Sequence, residues 1–293
     1  IAIGRFGNQD LQWETTHQTN IGIDLNILSD KLSISTDYYV KTTRKLLFAP
    51  DISGIVGTYG PGSSPPFING GDVRNRGFEF LVNYHTSIAE DLHLHLGYNI
   101  TTIHNEVQGL PAGVDFFEHA SFGVGGSRAT RMQAGYPIGY FFGYKTAGVY
   151  QSNAEVAERG IIQAGAQAGD LRYADLNNDG MISFGDDSDK TMIGSPIPDA
   201  TMGFNLGLNY KGLDFSTMLY FSLGNDILRN YERQQPMANQ LSYTLARWTG
   251  EGSTNKHPRL TTASHKNAVI SDYFVEDGSF MRMKNIQLGY SLP

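Results

Sequence analysis

The sequence predicts an all-β protein: an antiparallel transmembrane β-barrel, partial, of about seven strands, with short periplasmic turns and long extracellular loops. Three observations carry this expectation. Apolar residues alternate with polar ones at a period of two in seven separate segments. The links between those segments are alternately short and long, so every long one falls at the same end of the sheet. Composition agrees: 40% of the 293 residues are apolar and only 17% charged, with 34 Gly, 16 Tyr and 16 Phe, a bias toward short strands and turns.

The first segment places Ile21, Ile23, Leu25 and Ile27 on one face, against Asn20, Gly22, Asp24 and Asn26. The second sets Leu32, Ile34, Thr36, Tyr38 and Val40 against Ser33, Ser35, Asp37 and Lys41, and the third Phe78, Phe80, Val82 and Tyr84 against Gly77, Glu79 and Asn83. In the fourth, Leu92, Leu94, Leu96, Tyr98 and Ile100 oppose His93, His95, Gly97, Asn99 and Thr101. Met202, Phe204, Leu206, Leu208 and Tyr210 form the fifth, and Leu213, Phe215, Thr217, Leu219 and Phe221 the sixth. The seventh has Ile286, Leu288 and Tyr290 in phase; upstream the same phase meets Lys284 and Arg282, which predicts that this half projects beyond the lipid.

Alternation alone does not separate a lipid-facing wall from a soluble β-sandwich. The links do: 28–31, 85–91 and 211–212 are short, whereas 41–76, 102–201 and 224–279 are long. Compact soluble domains rarely carry several such loops, and strands of about nine to eleven residues suit a tilted membrane crossing. No stretch reaches the roughly 18 apolar residues of a membrane helix. With no Cys there are no disulfides, thiolate metal sites or Cys nucleophile. A formal charge of -7, from 22 Lys+Arg and 29 Asp+Glu, and the lack of a basic cluster argue against nucleic acid as a partner. Seven strands leave open edges, which a bacterial barrel does not. Since the sequence also starts without Met or a leader, further chain is expected at both ends.

Four segments, in this order along almost the whole chain, resemble the SusC/RagA-type TonB-dependent outer-membrane transporters, in the C-terminal part of their barrel. They are Asn8-Gln9-Asp10-Leu11-Gln12-Trp13-Glu14-Thr15-Thr16 leading into Asn20-Ile21-Gly22-Ile23-Asp24, and Asn75-Arg76-Gly77-Phe78-Glu79 opening a strand. The others are Gly135-Tyr136-Pro137-Ile138-Gly139-Tyr140-Phe141-Phe142-Gly143-Tyr144 with Gly148-Val149-Tyr150, and Gly278-Ser279-Phe280-Met281-Arg282-Met283-Lys284-Asn285-Ile286-Gln287-Leu288-Gly289-Tyr290. The resemblance implies a cell outer-membrane location and energised import of oligosaccharides or peptides. It also implies a SusD-like surface lipoprotein as lid and contact with the TonB complex through a part not in this sequence. No enzyme activity is implied. The alternative left by the residues is a soluble calcium-stabilised carbohydrate-binding or adhesin β module.

Local constellations were weighed against ordinary structural roles. His93 and His95 project to one side, as metal ligands do, but the sequence offers no third ligand and a hydrated inner face accounts for them. Gly123-Val124-Gly125-Gly126-Ser127 has phosphate-loop composition without a strand before it, and reads as plain loop. Asp72, Glu79, Asp115 and Glu118 have no spacing that demands a glycosidase pair. Tyr59, Phe67, Phe116, Phe117, Tyr140, Phe141 and Phe142 fit sugar stacking and loop packing equally. Ser152-Asn153-Ala154-Glu155 is a capping box that starts a short helix.

The remaining candidate lies at 175–186, within the long 102–201 region, and follows the EF-hand loop pattern. Asp175, Asn177 and Asp179 would supply side-chain oxygens, Met181 its carbonyl, Ser183 a water-mediated contact, and Gly180 the sharp turn. Asp186 stands at the twelfth position in place of Glu, with Asp187 or Asp189 as substitutes. Calcium is thus the one cofactor the sequence suggests and none is required; the competing reading is an Asp/Asn/Gly turn.

Overall fold

The computed structural model describes residues 4–5, 7–49, 64–123, 128–230, 239 and 241–292. Its main element is an antiparallel meander of seven long strands: β1 (Thr15–Ile27), β2 (Leu32–Arg44), β3 (Asp72–Ala89), β4 (Leu92–Thr102), β5 (Ala200–Tyr210), β6 (Leu213–Leu223) and β7 (Phe280–Tyr290). Each pairs with its neighbours in chain order. An eighth, short strand, His104–Gly109, folds back onto the upper part of β3 beyond the end of β4. The wall thus has one strand more than alternation predicts, and β3 is far longer than its clean apolar phase, leaving only Glu90 and Asp91 in the turn to β4.

Register explains why one face is apolar. Leu25 lies opposite Ile34, which lies opposite Val82, and the row continues through Tyr98, Phe204, Leu219 and Met283. The row below runs Ile27, Leu32, Tyr84, Leu96, Leu206, Thr217 and Ile286. On the other face the corresponding row is Asn26, Ser33, Asn83, Gly97, Asn205, Met218 and Asn285. A one-residue slip anywhere would exchange the two faces, so the pattern fixes the pairing.

No second sheet covers the apolar rows. Ile23 and Leu25 are 59% and 49% exposed, while Leu94, Leu96, Phe204, Leu206 and Leu219 are half-buried, each flanked by its own neighbours in the sheet. Among the described residues the buried apolar clusters lie elsewhere, in the long links. Had the wall been half of a sandwich, these leucines would form the core. Exposed aromatic residues bound the apolar rows: Tyr38 and Phe78 at one end, Tyr210 and Tyr290 at the other. Along β4 these levels are ten residues apart, Thr102 to Leu92. At about 3.4 Å per residue and a tilt of about 40°, that is about 25 Å, the height of the lipid-facing band of an outer-membrane barrel.

The last strand corrects the sequence reading. Met218 pairs with Asn285 but Leu219 pairs with Met283, so Lys284 has no partner of its own. This β-bulge resets the phase. Met281 and Met283 then continue the apolar face begun by Ile286, Leu288 and Tyr290, all of them exposed, and Arg282 falls beside Tyr220 on the polar face. The upper half of β7 therefore does not leave the apolar band at Lys284.

Candidate functional site

Because β1 to β7 form a meander, the three long links all emerge at one end, and there they interlock. The 103–199 link holds a four-stranded sheet ordered Lys190–Gly194, Tyr140–Tyr144, Arg128–Gln133, Phe116–Ser121, and a two-stranded ribbon of Thr146–Val149 with Leu171–Tyr173. Sequence reasoning saw a long loop in this region, because its strands are too short to display a period. Two cores hold the module. Tyr144, Val149, Leu171, Tyr173 and Ile182 form one, with Phe184 and Trp248 packed against it. Phe122, Ala129, Ile270 and Phe274 form the other, combining residues from both long links.

Polar contacts tie the same links together. Tyr144 N donates to Ile270 O at 3.0 Å, and Thr146 N and Oγ1 both donate to Asp272 Oδ1. Asp170, nearly inaccessible, accepts from Arg259 Nε at 2.7 Å and from Asn267 Nδ2 at 3.0 Å. Burial pushes the phenols of Tyr140 and Tyr144 up to about 12, and raises Tyr173 as well.

Arg131 is the centre of the outer sheet. Its guanidinium lies between the rings of Phe116 and Phe142, 3.8 and 3.5 Å from their centroids, and donates to Glu118 and Asp187, each at 2.5 Å. Burial alone would raise Asp187; the hydrogen bonds from Arg131 and Lys190 outweigh it and hold the carboxyl below its ordinary range. Beside Arg131, a cleft of about 280 Å³ is lined mainly by Leu46, Phe48, Phe117, Met132 and Ile138. It lies between the first long link and the outer sheet.

Most residues singled out from the sequence have structural work here. Tyr140 and Phe141 are buried, Phe117 packs edge-on against Phe48 with centroids 4.4 Å apart, and Arg5 covers Phe67. These contacts favour loop packing over sugar stacking. Tyr59 and residues 124–127 lie outside the described residues. Glu118 is bound to Arg131, Asp72 accepts from Lys45 N, and Glu79 lies on the polar face of the wall. Ser152 Oγ caps the helix Asn153–Glu158 by accepting from Glu155 N at 3.1 Å. The reciprocal half of the box is displaced by one residue, Glu155 Oε2 accepting from Gln151 N.

At 175–186 the structure gathers three of the proposed ligands and leaves out one. Asp175 accepts from Asn178 N and Gly180 N, Asn177 Oδ1 from Asp179 N, and Asp179 Oδ1 from Met181 N. Asp186 turns away to accept from Ser188. Asp189, fully buried, closes the loop instead, accepting from Leu176 N at 3.0 Å and Ser183 N at 2.8 Å. Three residues inserted between the twelfth position and Asp189 hid this from a fixed-spacing reading.

Comparison with known proteins fixes the family. Residues 2–292 match the family model described as TonB dependent receptor-like, beta-barrel. The chain belongs to the TonB-dependent receptor β-barrel family. It is 32% identical over 300 residues to TonB-dependent receptor P3 of Formosa agariphila, covering 100% of this chain and 28% of that protein. It is 30% identical over 289 residues to TonB-dependent receptor SusC of Bacteroides thetaiotaomicron, covering 97% of this chain and 26% of the relative. Among solved structures, one titled as the RagAB peptide transporter superposes with a TM-score of 0.75 at 24% identity, over 98% of this chain and 30% of that one, a likeness of fold. The chain therefore spans less than a third of the length of these relatives. Members of this family are outer-membrane β-barrel proteins, and these relatives are named as receptors or transporters, not as enzymes.

Proposed function

We propose that this TonB-dependent receptor chain forms part of the wall and external ledge of a nutrient importer for oligosaccharides or peptides. Its long links would make the contact surface for a SusD-like surface lipoprotein acting as a lid, and TonB would engage a region outside this chain. The observation that carries the reading is the one-ended, interlocked module of long links above an apolar band about 25 Å high. A rigid ledge at the mouth of a barrel suits a partner that must dock and release repeatedly. The names of SusC and of the RagAB peptide transporter supply the two substrate classes. Oligosaccharides are placed first, and peptides are the second class to test.

The test is uptake. Cells lacking the protein, and cells with it restored, are offered labelled oligosaccharides and peptides above the porin size limit; import of one class should depend on the protein. Import of both classes unchanged by its loss would refute the proposal. Removing 116–123 should weaken lipoprotein co-purification while the barrel stays in the membrane. A chain that folds as a monomer without detergent would instead support a soluble binding module.

A further inference from the structure

The polar face of the wall carries a feature that the import reading does not use. His93 and His95 project from β4 onto that face, and strand pairing supplies the third imidazole absent from the linear sequence: His85 of β3 lies directly opposite His95. Its backbone N–H donates to Lys31 O, toward β2. In an antiparallel sheet the N–H and C=O of a residue point to the same side, so His85 and His95 form a non-hydrogen-bonded pair. This is the closer kind, with Cα atoms about 4.5 Å apart. His93 stands two residues along β4, on the diagonal from His85, at about 7 to 8 Å, within reach of long side chains.

We infer that His85, His93 and His95 form a binding site for a divalent transition-metal ion of the zinc, nickel and copper class. Three neutral imidazoles with an open fourth position are a set that such ions accept. All three side chains are exposed, so the rings are free to turn. They do not yet converge on one point in this structure; side-chain rotation alone would bring them together. Two neighbours favour the site. Ser87 Oγ lies 2.9 Å from His93 Nδ1, and the tautomer that donates this bond leaves Nε2 as the ligand atom, the outer-shell arrangement usual for metal-binding histidines. Gly207, opposite His95 on β5, leaves that flank uncrowded. Lys31, next to His85, is exposed and long enough to turn its ammonium into solvent.

The test is zinc titration of the full-length protein in detergent against a chromophoric chelator, beside His85→Ala, His93→Ala, His95→Ala and the triple variant. A His119→Ala control leaves the wall untouched. Folding of each variant is checked by its heat-modifiable gel mobility. The expected result is one zinc lost in the triple variant, at least tenfold weaker binding in each single variant, and no change in the control. Cobalt(II) in place of zinc should give a visible spectrum that disappears with the triple variant. Equal zinc binding by the wild type and the triple variant would overturn the inference. So would a His85→Ala variant as tight as the wild type, since the cross-strand ligand is what the pairing adds.

Discussion

At the residue scale, Arg131 shows how a charge can be retained inside a loop. Its guanidinium is 5% exposed, and two aromatic faces and two carboxylates take the place of water. Arg131→Ala would leave Glu118 and Asp187 facing each other without a cation. It should destabilise the outer sheet by about 2 kcal/mol, a figure reduced for the partial exposure of both acids. Limited proteolysis should then cut within 103–199 faster than in the wild type, and an unchanged cleavage rate would contradict the assignment. The same contacts set a pH limit. A carboxyl held below its ordinary range stabilises the fold above the unfolded value, about 4, and that contribution fades as pH falls through the lower folded value. The phenols act at the other extreme. With Tyr140 and Tyr144 at about 12 against an ordinary 10, their contribution is complete below pH 10 and is lost between the two values. In an ultraviolet tyrosinate titration Tyr140→Phe should remove signal only near pH 12. Removal of signal near pH 10 would mean that Tyr140 is solvated.

At the element scale, the strands show what a period of two conveys. Leu206 lies in the middle of an apolar row flanked by Leu96 and Thr217, and Leu206→Arg should cost roughly 2 to 4 kcal/mol of barrel stability if the row faces lipid. Equal urea midpoints for the variant and wild type in lipid would remove the row from the membrane. The bulge in β7 gives a sharper test. Deleting Lys284 should force upstream pairing out of phase, turning Met281 and Met283 to the polar face and Arg282 to the apolar one. The deletion should abolish heat-modifiable mobility, whereas Lys284→Ala should preserve it. Six of the seven long strands were legible in their apolar phase because each holds that phase throughout. The seventh was legible only below Lys284, because an unpaired residue changes the face without changing composition. The short strands of the links carried no legible period, since their packing partners lie about 100 residues away. The candidate metal loop was half legible: Asp175, Asn177 and Asp179 are local, whereas Asp189 reaches the loop through an insertion. The third histidine was invisible for the same reason, since only pairing brings His85 to His95.

At the scale of the whole molecule, two kinds of order coexist. The wall is built from neighbours joined by tight turns, and the module from contacts between distant links. Asp170→Asn should loosen the module without disturbing the wall, because Arg259 and Asn267 meet there across 89 and 97 residues. Hydrogen exchange should rise in 145–175 and 255–272 and stay unchanged in β5 and β6; a rise in all of them would mean that the two parts unfold as one.

The bond between Thr146 and Asp272 spans 126 residues. A free chain pays for such a closure in entropy before any contact rewards it, although the cost grows only logarithmically with length. Here β4 and β5 are adjacent strands, so once they pair, the two ends of the 103–199 link are fixed side by side. Pairing of β6 with β7 does the same for the 224–279 link. This implies an assembly order: hairpins with local turns zip first, and the ledge condenses afterwards on anchors already set. Damage to the wall should therefore leave the ledge unformed, while damage to the ledge leaves insertion of the strands intact.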